Sequence, residues 1–101
     1  MDDVVLRLEA WYESRCEGSW EHQYGVRIET IDNPGWHIEI DLSGTPLIDQ
    51  SFEEFSIDRT STEWLRCEVQ GSKFEAYCGP KCLRETLLIF LTWAERSRKV
   101  D

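Results

Sequence analysis

Glu21 and His22 stand side by side, the pairing of carboxylate and imidazole that general-base catalysis uses to orient a proton acceptor. Adjacent residues seldom point the same way, and no serine or cysteine motif in the chain marks a nucleophile. The second histidine, His37, alternates with Glu39 and Asp41 and is expected to be solvent-exposed on the polar side of a strand. Cys78 and Cys82, taken with His22, are residue types that hold zinc. Yet Cys16, Cys67, Cys78 and Cys82 lack the paired C-x-x-C spacing of a zinc site. Buried thiols acting as small hydrophobes account for them better, above all Cys67, which alternates with Leu65 and Val69. The glycines form neither a G-x-G-x-x-G nor a G-K-S/T phosphate loop. No catalytic set, metal or cofactor is therefore expected.

The carboxylates make a different pattern. Strand phase points Glu29, Glu39, Asp41 and Glu68 away from the apolar positions. Glu53, Glu54 and Asp58 belong to a stretch whose register the pattern leaves open, and none of these acids has the spacing of a calcium loop. Trp64 shares its phase with Arg66 and Glu68 rather than with Leu65 and Cys67. It is either an exposed anchor for a partner or a ring covered by a twisted edge or a loop. Clustered acid beside an aromatic is how a surface captures a basic partner quickly. Glu29, Glu39, Asp41, Trp64 and Glu68 are accordingly the expected partner-binding residues. Trp20, Tyr24 and Trp36 lie where strands meet the expected core and are read as structural, Trp36 because its phase points inward.

The elements that must position these groups follow from periodicity. Asp2 and Asp3 suit the start of a helix whose apolar stripe is Val4, Leu8 and Trp11, widened by Val5 and Tyr12. Gly18 to His22 reads as a loop. Tyr24, Val26, Ile28 and Thr30 share one face of a strand, Asp32-Asn33-Pro34-Gly35 makes a turn, and Trp36, Ile38, Ile40 and Leu42 form its return. Ser43-Gly44-Thr45-Pro46 ends that hairpin, and a third strand is expected near Ser51 to Arg59. Thr60-Ser61-Thr62 is a turn, and Gln70-Gly71-Ser72-Lys73 joins a second hairpin that ends in Phe74, Ala76 and Cys78. Pro80 is expected to open a last helix, in which Leu83, Leu87, Phe90, Leu91 and Ala94 line one face and Arg96, Arg98 and Lys99 suit the end. The pattern predicts an α+β domain: an antiparallel sheet of about five strands, with the N- and C-terminal helices packed on one face and the other face wet.

Composition sets the remaining bounds. A chain of 101 residues, 41% hydrophobic and with five tryptophans, is one domain with ample core and no reason to be disordered. Leu87 to Leu91 is the longest apolar run and is far too short to span a bilayer. The start, Met1-Asp2-Asp3-Val4-Val5, lacks the features of a secretory signal, so a cytoplasmic protein with reduced cysteines is expected. The net charge of −9 comes entirely from residues 17–75, with thirteen acids against four bases; the flanks hold seven of each. Such a region repels nucleic acid and anionic membranes and attracts basic proteins, although acid on a small domain also serves solubility alone.

The motifs Trp20-Glu21-His22-x-Tyr24-Gly25-Val26 and Asp32-Asn33-Pro34-Gly35-Trp36 resemble the immunity protein 53 family of bacterial toxin-neutralising proteins. Trp11-Tyr12, Ile57-Asp58-Arg59, Trp64, Gly79-Pro80 and Trp93-Ala94-Glu95 extend the likeness over most of the chain. The resemblance implies an antidote encoded beside a polymorphic toxin, acting by binding and not by catalysis. Its expected partner is a cognate basic toxin, a nuclease or other enzyme with a basic cleft, and the chain is expected to be a monomer or weak dimer when free. The resemblance supplies no list of contact residues. The other reading, from charge alone, is an acidic adaptor or structural domain for some other basic protein or peptide.

Overall fold

The computed structural model describes residues 3–98. Met1, Asp2 and Lys99 lie outside the described residues, as does the side chain of Arg98. Helix α1 spans Val4–Arg15 and is capped by Asp3, whose carboxylate accepts the Leu6 N–H at 3.0 Å. A four-residue helical turn, α2, follows at Trp20–Gln23, where a loop is expected from sequence. Glu21 explains the difference. Its two carboxylate oxygens accept the N–H groups of Glu17 and Gly18 at 3.1 and 2.9 Å and so tie the turn to the segment before it.

The five strands are β1 (Val26–Ile31), β2 (Gly35–Asp41), β3 (Phe55–Asp58), β4 (Trp64–Gln70) and β5 (Lys73–Cys78). They form one antiparallel sheet in the order β1-β2-β5-β4-β3. Both expected hairpins are present, and β2 and β5 join them at the centre. The third strand is shorter than the sequence pattern suggested. Glu53 and Glu54 precede it, and its register with β4 sets Phe55 opposite Cys67 and Ile57 opposite Leu65. Phe52 leaves the sheet to pack edge-on against Phe74 and Trp93, with centroids 5.5 and 5.0 Å away. The Trp93 indole also donates to the Ser51 carbonyl at 3.0 Å. Those contacts bend the segment before β3 over the core.

The inner face of the sheet carries Ile38, Ile40, Leu65, Cys67, Phe74, Ala76 and Cys78, all buried. Helix α3, Leu83–Arg98, lays Leu87, Phe90, Leu91, Trp93 and Ala94 on it. Phe90 touches both Phe74 and the Trp11 ring of α1, at 5.1 and 5.0 Å between centroids. At about 1.5–3 kcal/mol for each large side chain removed from water, this cluster dominates stability. Arg7 of α1 makes a forked pair with Glu95 of α3, at 2.9 and 2.7 Å, so the two helices lie side by side over the same face.

Several local expectations are corrected. Val5 and Tyr12 are exposed rather than part of the buried stripe of α1. Pro80 does not open α3, which starts at Leu83 after a turn closed by the Cys82 N–H on the Gly79 carbonyl. A 3-10 turn at Pro46–Asp49, absent from the sequence pattern, buries Leu47 beside the core. Trp36 does point inward, but it is only half-buried and donates its indole N–H to the Pro80 carbonyl at 3.0 Å. Gly35 has a packing reason to be glycine. A Cβ there would overlap the Cys78 carbonyl of the neighbouring strand.

Candidate functional site

No described helix lies over the outer face of the sheet, and strand alternation decides what it presents. From β1 come Arg27 and Glu29, and from β2 His37, Glu39 and Asp41. Strand β5 adds Lys73, Glu75 and Tyr77, β4 adds Trp64, Arg66 and Glu68, and β3 adds Asp58. The five residues expected to bind a partner, Glu29, Glu39, Asp41, Trp64 and Glu68, thus share one face. The remaining acids of the 17–75 region, such as Asp32, Asp49, Glu53, Glu54 and Glu63, lie in connections around the sheet.

Register brings the carboxylates together more closely than phase alone shows. Glu39 of β2 faces Glu75 of β5, and Glu75 faces Glu68 of β4. Three carboxylates therefore stand in one row across three adjacent strands, an arrangement that costs folding energy. Positive groups offset part of it. Arg27 Nη1 reaches Glu39 at 2.9 Å and Lys73 Nζ lies 3.5 Å away. Partial burial pushes the Glu39 carboxyl up, but the hydrogen bonds and charges of Arg27 and Lys73 outweigh it and hold it below its usual value.

Beside this row His37 is bound on both nitrogens. Glu29 lies 3.1 Å from Nδ1 and Glu75 3.1 Å from Nε2, and the ring stacks on Tyr77 with 4.4 Å between centroids. Its side chain is only 15% exposed, so the expectation of a solvated His37 is wrong. Cross-strand carboxylates on both sides and a tyrosine beneath the ring cover it. Burial disfavours the imidazolium, but the two carboxylates outweigh that effect and raise the pKa above its ordinary value.

Tyr77 is 39% exposed in the middle of the face. Its hydroxyl pKa is raised, first by partial burial and then by the charges of Glu75, Glu39, Glu68 and Glu29. This exposed aromatic among four carboxylates is not one of the partner-binding residues expected from sequence. The signal was present, since Phe74, Ala76 and Cys78 alternate inward and so direct Glu75 and Tyr77 outward.

The expected site residues differ in availability. Glu29 is open, with its side chain 63% exposed. Asp41 is held at the end of β2, where Oδ2 accepts the Gly25 N–H at 2.9 Å. Trp64 is half-buried, and the Arg66 guanidinium sits 5.4 Å from its ring centroid, so it is neither a bare anchor nor a core residue. Arg59, next to Asp58, turns away to α3 and makes a forked pair with Glu85 at 2.8 and 2.6 Å.

The alternative chemistries find little support. Both Glu21 oxygens serve backbone N–H groups, and His22 is exposed beside them. Cys67, Cys78 and Cys82 are buried, and burial pushes the Cys67 thiol up to about 12, away from thiolate chemistry. Among the described residues, the group whose potential metal-ligand atoms lie within 4.8 Å of one another is His37, Glu39 and Glu75, not Cys78, Cys82 and His22. All three already have partners, Glu39 in Arg27 and Lys73, and His37 in Glu29 and Glu75. No described helix is long and apolar enough to cross a membrane.

The fold is a small α+β domain, a helix-backed antiparallel sheet with a bare, carboxylate-rich face around one exposed tyrosine. The chain belongs to the immunity protein 53 family, whose model matches residues 5–95. Its class is that of immunity proteins, inhibitors whose partner is a cognate toxin. No curated protein and no solved structure matches the chain.

Proposed function

We propose that this immunity protein neutralises its toxin by laying the outer face of the sheet on a basic surface, one copy to one toxin, in the bacterial cytoplasm. The observation that carries the reading is the row Glu39, Glu75 and Glu68, in register across β2, β5 and β4. Like charges set side by side oppose folding, and a basic partner relieves that cost on binding. Tyr77 supplies the apolar centre of the interface, and Glu29 and Trp64 flank it on opposite sides. A basic nuclease or another enzyme with a cationic cleft is the toxin chemistry this face fits, and covering the cleft is the mode of inhibition.

Co-production with the toxin encoded beside it tests this directly. The wild-type chain is expected to rescue growth and to co-purify with the toxin at one-to-one stoichiometry, and Tyr77→Ala to weaken both. Rescue that survives Tyr77→Ala together with Glu68→Lys would move the interface off this face.

A further inference from the structure

Strand β1 ends the sheet on one side, and its exposed edge has a definite hydrogen-bonding phase. The Asp41 N–H donates to the Gly25 carbonyl at 3.1 Å, which makes Gly25 and Asp41 a hydrogen-bonded pair. In an antiparallel ladder the backbone groups of Arg27 and Glu29 then also face β2, while those of Val26, Ile28 and Thr30 point outward. The same edge is apolar on its inner side. Ile28 is 38% exposed although its phase puts it with the core positions, and α1 leaves Val5 and Tyr12 exposed nearby. Val5, Leu8, Glu9, Tyr12, Gly25 and Val26 line an open, largely apolar groove there.

We propose that a second copy of this chain pairs with this edge, β1 against β1, antiparallel about a two-fold axis at Ile28. The register is set by charge. Paired residues of an antiparallel ladder lie on the same face, so successive alignments differ by one residue on each strand. With Ile28 opposite Ile28, Val26 faces Thr30, and Arg27 of each copy faces Glu29 of the other. Shifting the axis to either neighbouring residue sets Arg27 against Arg27 or Glu29 against Glu29. The outward groups of Val26, Ile28 and Thr30 match in the same alignment, each pair exchanging two backbone hydrogen bonds. Arg27 and Glu29 then occupy the non-hydrogen-bonded positions, where side chains approach most closely. Both remain accessible, at 74% and 63% side-chain exposure, and Arg27 keeps donors beyond the one it gives Glu39. The two Ile28 side chains meet on the inner face of the joined sheets. The charge of −9 on each copy opposes this contact, so the dimer is weak and tightens with moderate salt.

Sedimentation equilibrium on the protein alone, from micromolar to millimolar concentration, tests the pairing without the toxin. Wild type is expected to pass from monomer to dimer. Arg27→Glu places like charges opposite at both symmetry-related positions and is expected to raise the dissociation constant about tenfold. Adding Glu29→Arg to that variant restores opposite charges and is expected to bring the constant back near wild type. Circular dichroism melts of both variants verify that β1 still folds. A monomer at every concentration, or a dimer that ignores Arg27→Glu or is not restored by the double exchange, would overturn the pairing.

Discussion

Glu68 and Glu75 stand directly opposite each other on β4 and β5, on the face that no described helix covers. Folding alone gains nothing from two carboxylates in that relation. Glu68→Gln is therefore expected to raise stability by about 0.2–1 kcal/mol, the usual cost of like charges across a strand pair. Chemical denaturation at low salt measures this, and the gain should shrink as salt is added. A loss of stability would mean that Glu68 has a structural task which the register does not reveal.

His37 gives the face a pH signature. An imidazolium donates to both Glu29 and Glu75, whereas the neutral ring has one N–H and satisfies only one of them. The groups around the ring are Glu29 on β1, Glu39 on its own strand, and Glu75 and Tyr77 on β5. Since the folded pKa is raised, the stabilisation is full below the unfolded value of about 6.5 and is lost as pH rises through the folded one. Wild type is expected to lose stability relative to His37→Gln between those limits. Parallel melts of the two proteins from pH 5.5 to about 8.5 check it. A constant difference across that range would show that His37 does not titrate with the fold.

Among the tryptophans, Trp20 and not Trp36 is expected to be the more costly to remove. Trp20 is 3% exposed, donates its indole N–H to the Ser43 carbonyl at 2.8 Å, and packs edge-on against Trp11. Trp20→Ala should cost about 3–5 kcal/mol, and the half-buried Trp36→Ala less. Thermal melts give the order, and a reversed order would contradict the packing described.

Gly35→Ala is expected to destabilise by about 1–3 kcal/mol, because the added methyl group meets backbone and not a movable side chain. A variant as stable as wild type would require β2 and β5 to separate more easily than their ladder suggests.

The sequence pattern carries the sheet and both long helices because alternation and helical spacing are strong wherever one face is buried. It fails where tertiary contacts decide. Glu21 makes a helical turn out of an expected loop by accepting two N–H groups, and the Phe52 ring draws the chain away from β3 toward Trp93. The same distinction holds for the site. Phase places Glu29, Glu39, Asp41 and Glu68 outward, but it does not give their neighbours. Only the pairing of β2 with β5 sets Glu39 beside Glu75 and brings His37 onto Tyr77. Charge reversal at Glu39 or Asp41 would perturb folding as well as binding, since both support local structure through Arg27, Lys73 and Gly25.

Glu68 avoids that ambiguity, and the central claim rests on the charge of the face it occupies. The most direct measurement is the association rate with the cognate toxin across a range of ionic strength, for wild type and Glu68→Lys. The wild-type rate is expected to fall steeply with salt, and Glu68→Lys to lower it severalfold at low salt, with the two rates converging as screening grows. A wild-type rate that is indifferent to salt and unchanged by Glu68→Lys would contradict recognition of the toxin by this acidic face.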